Sequence, residues 1–138
     1  MTTGTNHMLF TGIDHPAISA HDVRKLATWY CTHLGMKIVG DNGATPPSLV
    51  LGYDSDCKGG ALLELMPVRH EGPKPADVPR FCAGLRHFAV RVSNFQKAYD
   101  QLKKEGIEFL FEPTTAVGGG PIVSFRDPEG NEVQIVER

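Results

Sequence analysis

The sequence predicts an α+β fold of two βαβββ modules in tandem, and three features predict it. The first is an internal repeat. Gly12-Ile13-Asp14-His15-Pro16-Ala17-Ile18 and Gly84-Leu85-Arg86-His87-Phe88-Ala89-Val90 carry histidine in the same slot, with alanine two residues later. The second is a shared continuation: each copy leads into a capping turn, a helical pattern, a glycine, then another apolar run. Superposed, Asp22 falls on Asn94 and Lys25 on Lys97, and one residue of slippage brings Gly35 opposite Gly106. The third is Asp127-Pro128-Glu129-Gly130, a strong turn signal ahead of a final strand.

Residues 1–11 are Thr-, Gly- and Asn-rich and read as a flexible start, in which His7 is better taken as disordered than as a ligand. The first module is expected over 12–66. Its first strand, Ile13 to Ser19, contains a proline and therefore belongs at an edge or keeps Pro16 at a non-bonding position. Ala20-His21-Asp22 offers an N-cap for a helix whose apolar stripe is Val23, Leu26, Ala27, Tyr30 and Leu34, ended by Gly35. Met36 to Gly40, Leu49 to Tyr53 and Ala61 to Met66 read as strands separated by turn-forming loops. Residues 67–84 hold four prolines without periodicity and read as a linker. The second module, 85–138, repeats the plan: strand Leu85 to Val92, a cap at Ser93 or Asn94, a stripe of Phe95, Ala98, Tyr99 and Leu102, and a stop at Glu105-Gly106. Strands are then expected at Ile107 to Phe111, Pro121 to Arg126 and Asn131 to Val136, with Gly118-Gly119-Gly120 as a mobile flap in the loop between the first two.

Composition narrows the function. The 138 residues suffice for one domain or two small modules packed as one, and a 41% hydrophobic fraction can fill a core. Net charge is −2 with no basic stripe, which argues against nucleic acid as a partner. No apolar run approaches the ~20 residues needed to cross a bilayer, and no signal peptide pattern opens the chain. Cys31, Cys57 and Cys82 share no metal-type spacing and read as free thiols in a reducing cytoplasm.

The order βαβββ-βαβββ with histidine on the first strand of each module resembles the vicinal oxygen chelate superfamily, which includes glyoxalase I, methylmalonyl-CoA epimerase, extradiol dioxygenases and the bleomycin and fosfomycin resistance proteins. Three stretches carry the resemblance, which spans 12–138: Ile13-Asp14-His15 leading to Trp29-Tyr30 and Leu34-Gly35; Leu85-Arg86-His87 leading to Leu102 and Gly106; and Asp127 through Ile135. It implies strongly curved sheets around a metal-centred cavity, helices outside, and a homodimer. Whether His15 and His87 meet within one chain or across two stays open.

The family places metal ligands on the first and last strands of each module, which here are His15, Glu64, His87 and Gln134. Two imidazoles and a carboxylate suit a divalent ion, with Ni, Zn, Co, Mn, Mg and Fe not distinguished. Glu64 interrupts the apolar run Ala61 to Met66, and a buried carboxylate needs a partner; the plainer reading is a glutamate on an outward sheet face. A lone histidine would be read as bonded to backbone, and the second copy shifts the reading to ligation. Asp14 and Arg86, neighbours of the histidines, are expected on the opposite face in solvent, and His21, His33 and His70 at the surface. Gln134 stands where the family usually has Glu, which counts against extradiol dioxygenase and fosfomycin enzymes; its plainer reading is a polar residue on the cavity wall.

Arg91 shares a strand face with His87 and suits a substrate carboxylate or phosphate. Glu132 shares a face with Gln134 and either binds substrate or pairs with Arg91. The resemblance then implies a metal-dependent lyase or isomerase acting on a small molecule chelated through vicinal oxygens, with Glu64 as the proton carrier. The alternatives are a non-catalytic small-molecule or drug-binding resistance protein, and an Fe(II)-dependent oxygenase built on His15, Glu64 and His87.

Overall fold

Each half of the chain folds as a mixed four-stranded sheet with one helix against it. The computed structural model describes residues 9–138; His7 and most of the expected flexible start lie outside the described residues. Two compact units meet in sequence at Pro67 and Val68. The first contains β1 (Ala17–Ala20), α1 (Val23–Leu34), β2 (Lys37–Asp41), β3 (Leu49–Gly52) and β4 (Leu63–Pro67), in the sheet order β1-β4-β3-β2. The second contains β5 (His87–Arg91), α2 (Phe95–Lys104), β6 (Thr114–Thr115), β7 (Pro121–Arg126) and β8 (Glu132–Val136), in the equivalent order β5-β8-β7-β6. Each first strand runs parallel to the last strand of its own unit, and the other pairings are antiparallel. The fold is α+β, as expected.

Capping chemistry sets the helix limits. Asp22 accepts a hydrogen bond from the Lys25 N–H at 3.0 Å, and Asn94 accepts one from Lys97 at 3.0 Å. Gly35 ends α1 in the left-handed region, where a Cβ would be penalised. The carboxylate of Glu137 takes a further orphan donor, the Phe95 N–H, at 2.7 Å.

Sheet alternation then sorts the side chains. In the first unit Leu49↔Leu65 and Leu51↔Leu63 pair on one face, all four buried, while Val50↔Glu64 pair on the other. Val23, Leu26, Ala27 and Tyr30 form the buried stripe of α1, and the Tyr53 hydroxyl donates to the Leu34 carbonyl at 2.8 Å. In the second unit Val123↔Ile135 and Phe125↔Val133 make the core face, and the rings of Phe125, Phe109, Tyr99 and Phe95 run in contact from it to α2. Ser124↔Gln134 and Arg126↔Glu132 therefore occupy the face turned away from the helix.

Three expectations about elements change. The first strand starts at Ala17 rather than Ile13, because Pro16 has no N–H to donate; the carbonyls of Asp14 and Pro16 still accept from Leu62 and Glu64 at 3.0 Å, extending the ladder on one side. The strand expected at Ile107 to Phe111 shrinks to a bridge, Phe109↔Phe125, and the pairing strand is Thr114–Thr115, within what read as loop. Gly118-Gly119-Gly120 is a pinned turn rather than a flap. Ala116 N donates to Gly120 O at 2.8 Å, and Arg138 Nη1 donates to the carbonyls of Val117 and Gly119 at 2.8 and 2.9 Å.

Candidate metal and substrate site

On the first unit, the polar face is built where β1 meets β4. The register Ala17↔Glu64, continued by the bond from Glu64 N to Pro16 O, brings His15 beside Glu64 across a sequence separation of 49 residues. Nε2 of His15 lies 3.1 Å from Oε1 of Glu64. Glu64 is half-buried on the face away from the helix, and its Oε2 has no hydrogen-bond partner among the described residues. The charge that interrupts the apolar run thus has its partner, and that partner is the repeated histidine.

Asp14 is exposed to solvent as expected, but it departs from the expected face. Its Oδ2 lies 2.7 Å from His15 Nδ1, on the ring rather than on the opposite face, because 12–16 is not a regular strand and adjacent side chains need not alternate. Both ring nitrogens then face carboxylate oxygens, which only accept, so the ring meets both when it carries two protons. The hydrogen bond to Asp14 raises the His15 pKa above 6.5 against the opposing effect of desolvation, with Glu64 adding to the rise. The stabilising charge is therefore fully present below pH 6.5 and is lost as pH rises through the elevated folded value. We expect the His15 ring resonances of metal-free protein to titrate above those of a model imidazole, and Asp14→Asn to move that midpoint down. A midpoint unchanged in Asp14→Asn, measured by NMR, would show that Asp14 does not hold the proton.

The second unit repeats the geometry with different chemistry. His87 pairs in register with Glu132, and Ala89 with Gln134, so His87, Glu132 and Gln134 share the face turned from α2. Gln134 occupies the position equivalent to Glu64, since Ala89 is to His87 what Ala17 is to His15. His87 Nδ1 is 4.0 Å from Glu132 Oε2, too long for a hydrogen bond but close enough for charge to act. Arg91 continues the exposed alternation of His87 and Ala89.

Glu132 does not pair with Arg91. It is buried, and Arg80 holds it by a two-pronged ion pair, Nε to Oε1 at 2.9 Å and Nη2 to Oε2 at 2.8 Å, while Ser124 Oγ donates to Oε2 at 2.8 Å. Burial works against ionisation of Glu132, but the bonds from Arg80 and Ser124 outweigh it and leave the carboxyl below its ordinary pKa. Arg86 departs as well: it lines a pocket of about 260 Å³ with Arg80, Arg126, Asn131 and Glu132. Arg80 escaped the sequence reading because it lies in an aperiodic stretch. Arg126 was readable, since it is two residues from Ser124 on a strand and so shares its face.

Within each unit, among the described residues, no three His, Cys, Asp or Glu side chains form a cluster able to hold a metal ion. His15 with Glu64 is a pair, and His87 with Gln134 is its counterpart on the second sheet. His21 and His70 are exposed, and His33 is partly covered with its ring 5.2 Å from Trp29. Cys31, Cys57 and Cys82 are free thiols. No helix among the described residues is long and apolar enough to cross a membrane.

Residues 12–135 match the family model described as the glyoxalase/bleomycin resistance protein/dioxygenase superfamily. The uncharacterised Bacillus subtilis (strain 168) protein YurT is 36% identical over 83 residues, covering 60% of this chain and 65% of YurT, so the match spans just under two thirds of that relative. Among solved structures, a glyoxalase family protein from Enterococcus faecalis superposes with a TM-score of 0.72 at 25% identity, covering 94% of this chain and 100% of that one. The trypanothione-dependent glyoxalase I of Leishmania major gives a TM-score of 0.69 at 18% identity over 93% of this chain and 87% of its own, a likeness in fold.

Proposed function

Because the chain belongs to the glyoxalase/bleomycin resistance protein/dioxygenase superfamily, we propose that it is a metal-dependent lyase or isomerase that moves a proton on a small substrate held through two adjacent oxygens. The observation that carries this reading is the His15 Nε2 to Glu64 Oε1 approach of 3.1 Å, an imidazole and a carboxylate brought together from opposite ends of one unit on its helix-free face. An imidazole beside a carboxylate suits a divalent transition ion, and His15 with Glu64 on the first unit and His87 with Gln134 on the second are the donors we propose for it. Such an ion supplies Lewis acidity toward a substrate carbonyl. The chain supplies the rest. Asp14 orients the His15 ring through Nδ1, as carboxylates behind ligating histidines do. Glu64 keeps one oxygen without a protein partner, available to take and return a proton. Gln134, a neutral amide, offers an oxygen and no basicity. A cytoplasmic homodimer belongs to the same reading.

The test is metal content. His15→Ala and His87→Ala, purified without chelator, are expected to lose most of the metal that the wild type retains while keeping its circular dichroism, because the remaining donors cannot replace a lost ligand. Full occupancy in both variants would move the site elsewhere. Oxygen consumption with Fe(II) would favour the oxygenase alternative.

A further inference from the structure

We propose that the pocket on the second unit is a binding site for the carboxylate of a small organic acid, with Arg86 and Arg126 as the recognising cations. This rests on the lyase or isomerase reading only in taking that acid to be the substrate; the binding itself needs no metal.

Charge is the first observation. Three guanidiniums, Arg80, Arg86 and Arg126, line the pocket against one carboxylate, Glu132. Glu132 is fully taken up by Arg80 and Ser124, so Arg80 is neutralised in place and the other two are not. Arg86 donates through Nη1 to the Pro79 carbonyl at 3.3 Å, and Arg126 through Nη1 to the Gly130 carbonyl at 2.8 Å; neither has a carboxylate partner among the described residues. The nearby acid Asp127 accepts from the N–H groups of Glu129 and Asn131 and from the Asn131 amide, which commits it to its own turn.

A buried donor is the second. Nε of Arg86 is buried and has no hydrogen-bond partner among the described residues, so the Pro79 carbonyl does not exhaust what this guanidinium can donate. A carboxylate is a planar acceptor that matches the Nε and Nη2 edge of a guanidinium.

Construction of the pocket is the third. The Pro-rich segment that read as a linker is docked on this unit: a Cβ at Gly130 would stand 3.2 Å from the Ala76 backbone nitrogen. The segment thereby sets Pro73, Pro75 and Val78 against the basic residues and gives the pocket an apolar wall. A charged head with a short apolar body fits that division better than a bare inorganic anion.

The experiment uses butanoate, its neutral isostere butanamide, and inorganic phosphate, each titrated by calorimetry and by amide chemical shifts into the full chain with and without EDTA. Saturable butanoate binding, absent for butanamide and weaker for phosphate, is expected in both conditions. Arg126→Gln is expected to weaken it by roughly tenfold or more, the size of one charge-assisted hydrogen bond. Arg86→Lys retains the charge but removes the Nε–H, and a similar loss is expected there; Lys104→Gln, exposed at the end of α2 and outside the pocket, should bind as wild type. Variants are compared only where thermal melts match. Absence of butanoate binding, equal binding to butanamide, affinity unchanged in both pocket variants, or phosphate binding with butanoate failing would each overturn the carboxylate site. Failure of the metal experiment with butanoate binding intact would count against the reaction proposed above and leave this site standing.

Discussion

Glu64→Gln is expected to lower proton-transfer turnover by about 10²–10⁴ at equal metal loading, the range associated with losing a positioned general base. The variant keeps the size and an acceptor oxygen, so it can still face His15, but an amide cannot take a proton. The wild-type geometry motivates the choice: Oε1 of Glu64 is engaged by His15, whereas Oε2 has no partner among the described residues. The reverse exchange at the equivalent position of the other sheet, Gln134→Glu, is expected to be tolerated and to tighten metal binding, since it adds charge beside a dication. Solvent deuterium exchange at the C–H of 2-oxo and 2-hydroxy compounds reads both variants directly. Undiminished exchange in Glu64→Gln would mean another residue is the base. Glu132 is a poor substitute, because Arg80 and Ser124 hold it ionised and occupied.

Much of the fold was legible because its signals are local. Asp22 and Asn94 cap the helices where a short polar side chain precedes an apolar stripe, and the register of β7 with β8 reflects alternation on both sides of the Asp127 turn. The family resemblance implied that Glu64 and Gln134 hold matching places on the last strands, and the pairings Ala17↔Glu64 and Ala89↔Gln134 make them equivalent in register. What was not legible depends on packing between stretches with no periodicity. Arg80 lies among prolines, and only the docking of that segment places it on Glu132. Asp14 and Arg86 were misplaced for a related reason: alternation was applied to residues just ahead of the regular strands, where it does not hold. Polar residues at strand ends answer to tertiary partners before they answer to period.

Gly120→Ala should destabilise the protein by about 2–5 kcal/mol, the sum of left-handed backbone strain and an overpacked contact. A Cβ there would overlap the Glu137 carbonyl oxygen and stand 2.9 Å from its carbon, backbone atoms that no rotamer change can move. Yielding means shifting Glu137, whose N–H bonds to the Pro121 carbonyl at 3.2 Å and whose carboxylate accepts the Phe95 N–H at the start of α2. The clash therefore propagates to the cap of the second helix, worth roughly a further 1 kcal/mol if lost. For a chain of this length the melting temperature should fall by on the order of 10–20 °C. Gly119 provides the control: its φ is +100° but nothing lies within 4 Å of a Cβ, so Gly119→Ala should show the backbone strain alone, about 1–2 kcal/mol. Thermal melts of the two variants side by side decide the matter. If they fall equally, the close approach to Glu137 is not what demands glycine at 120, and the turn tolerates a side chain that this geometry forbids.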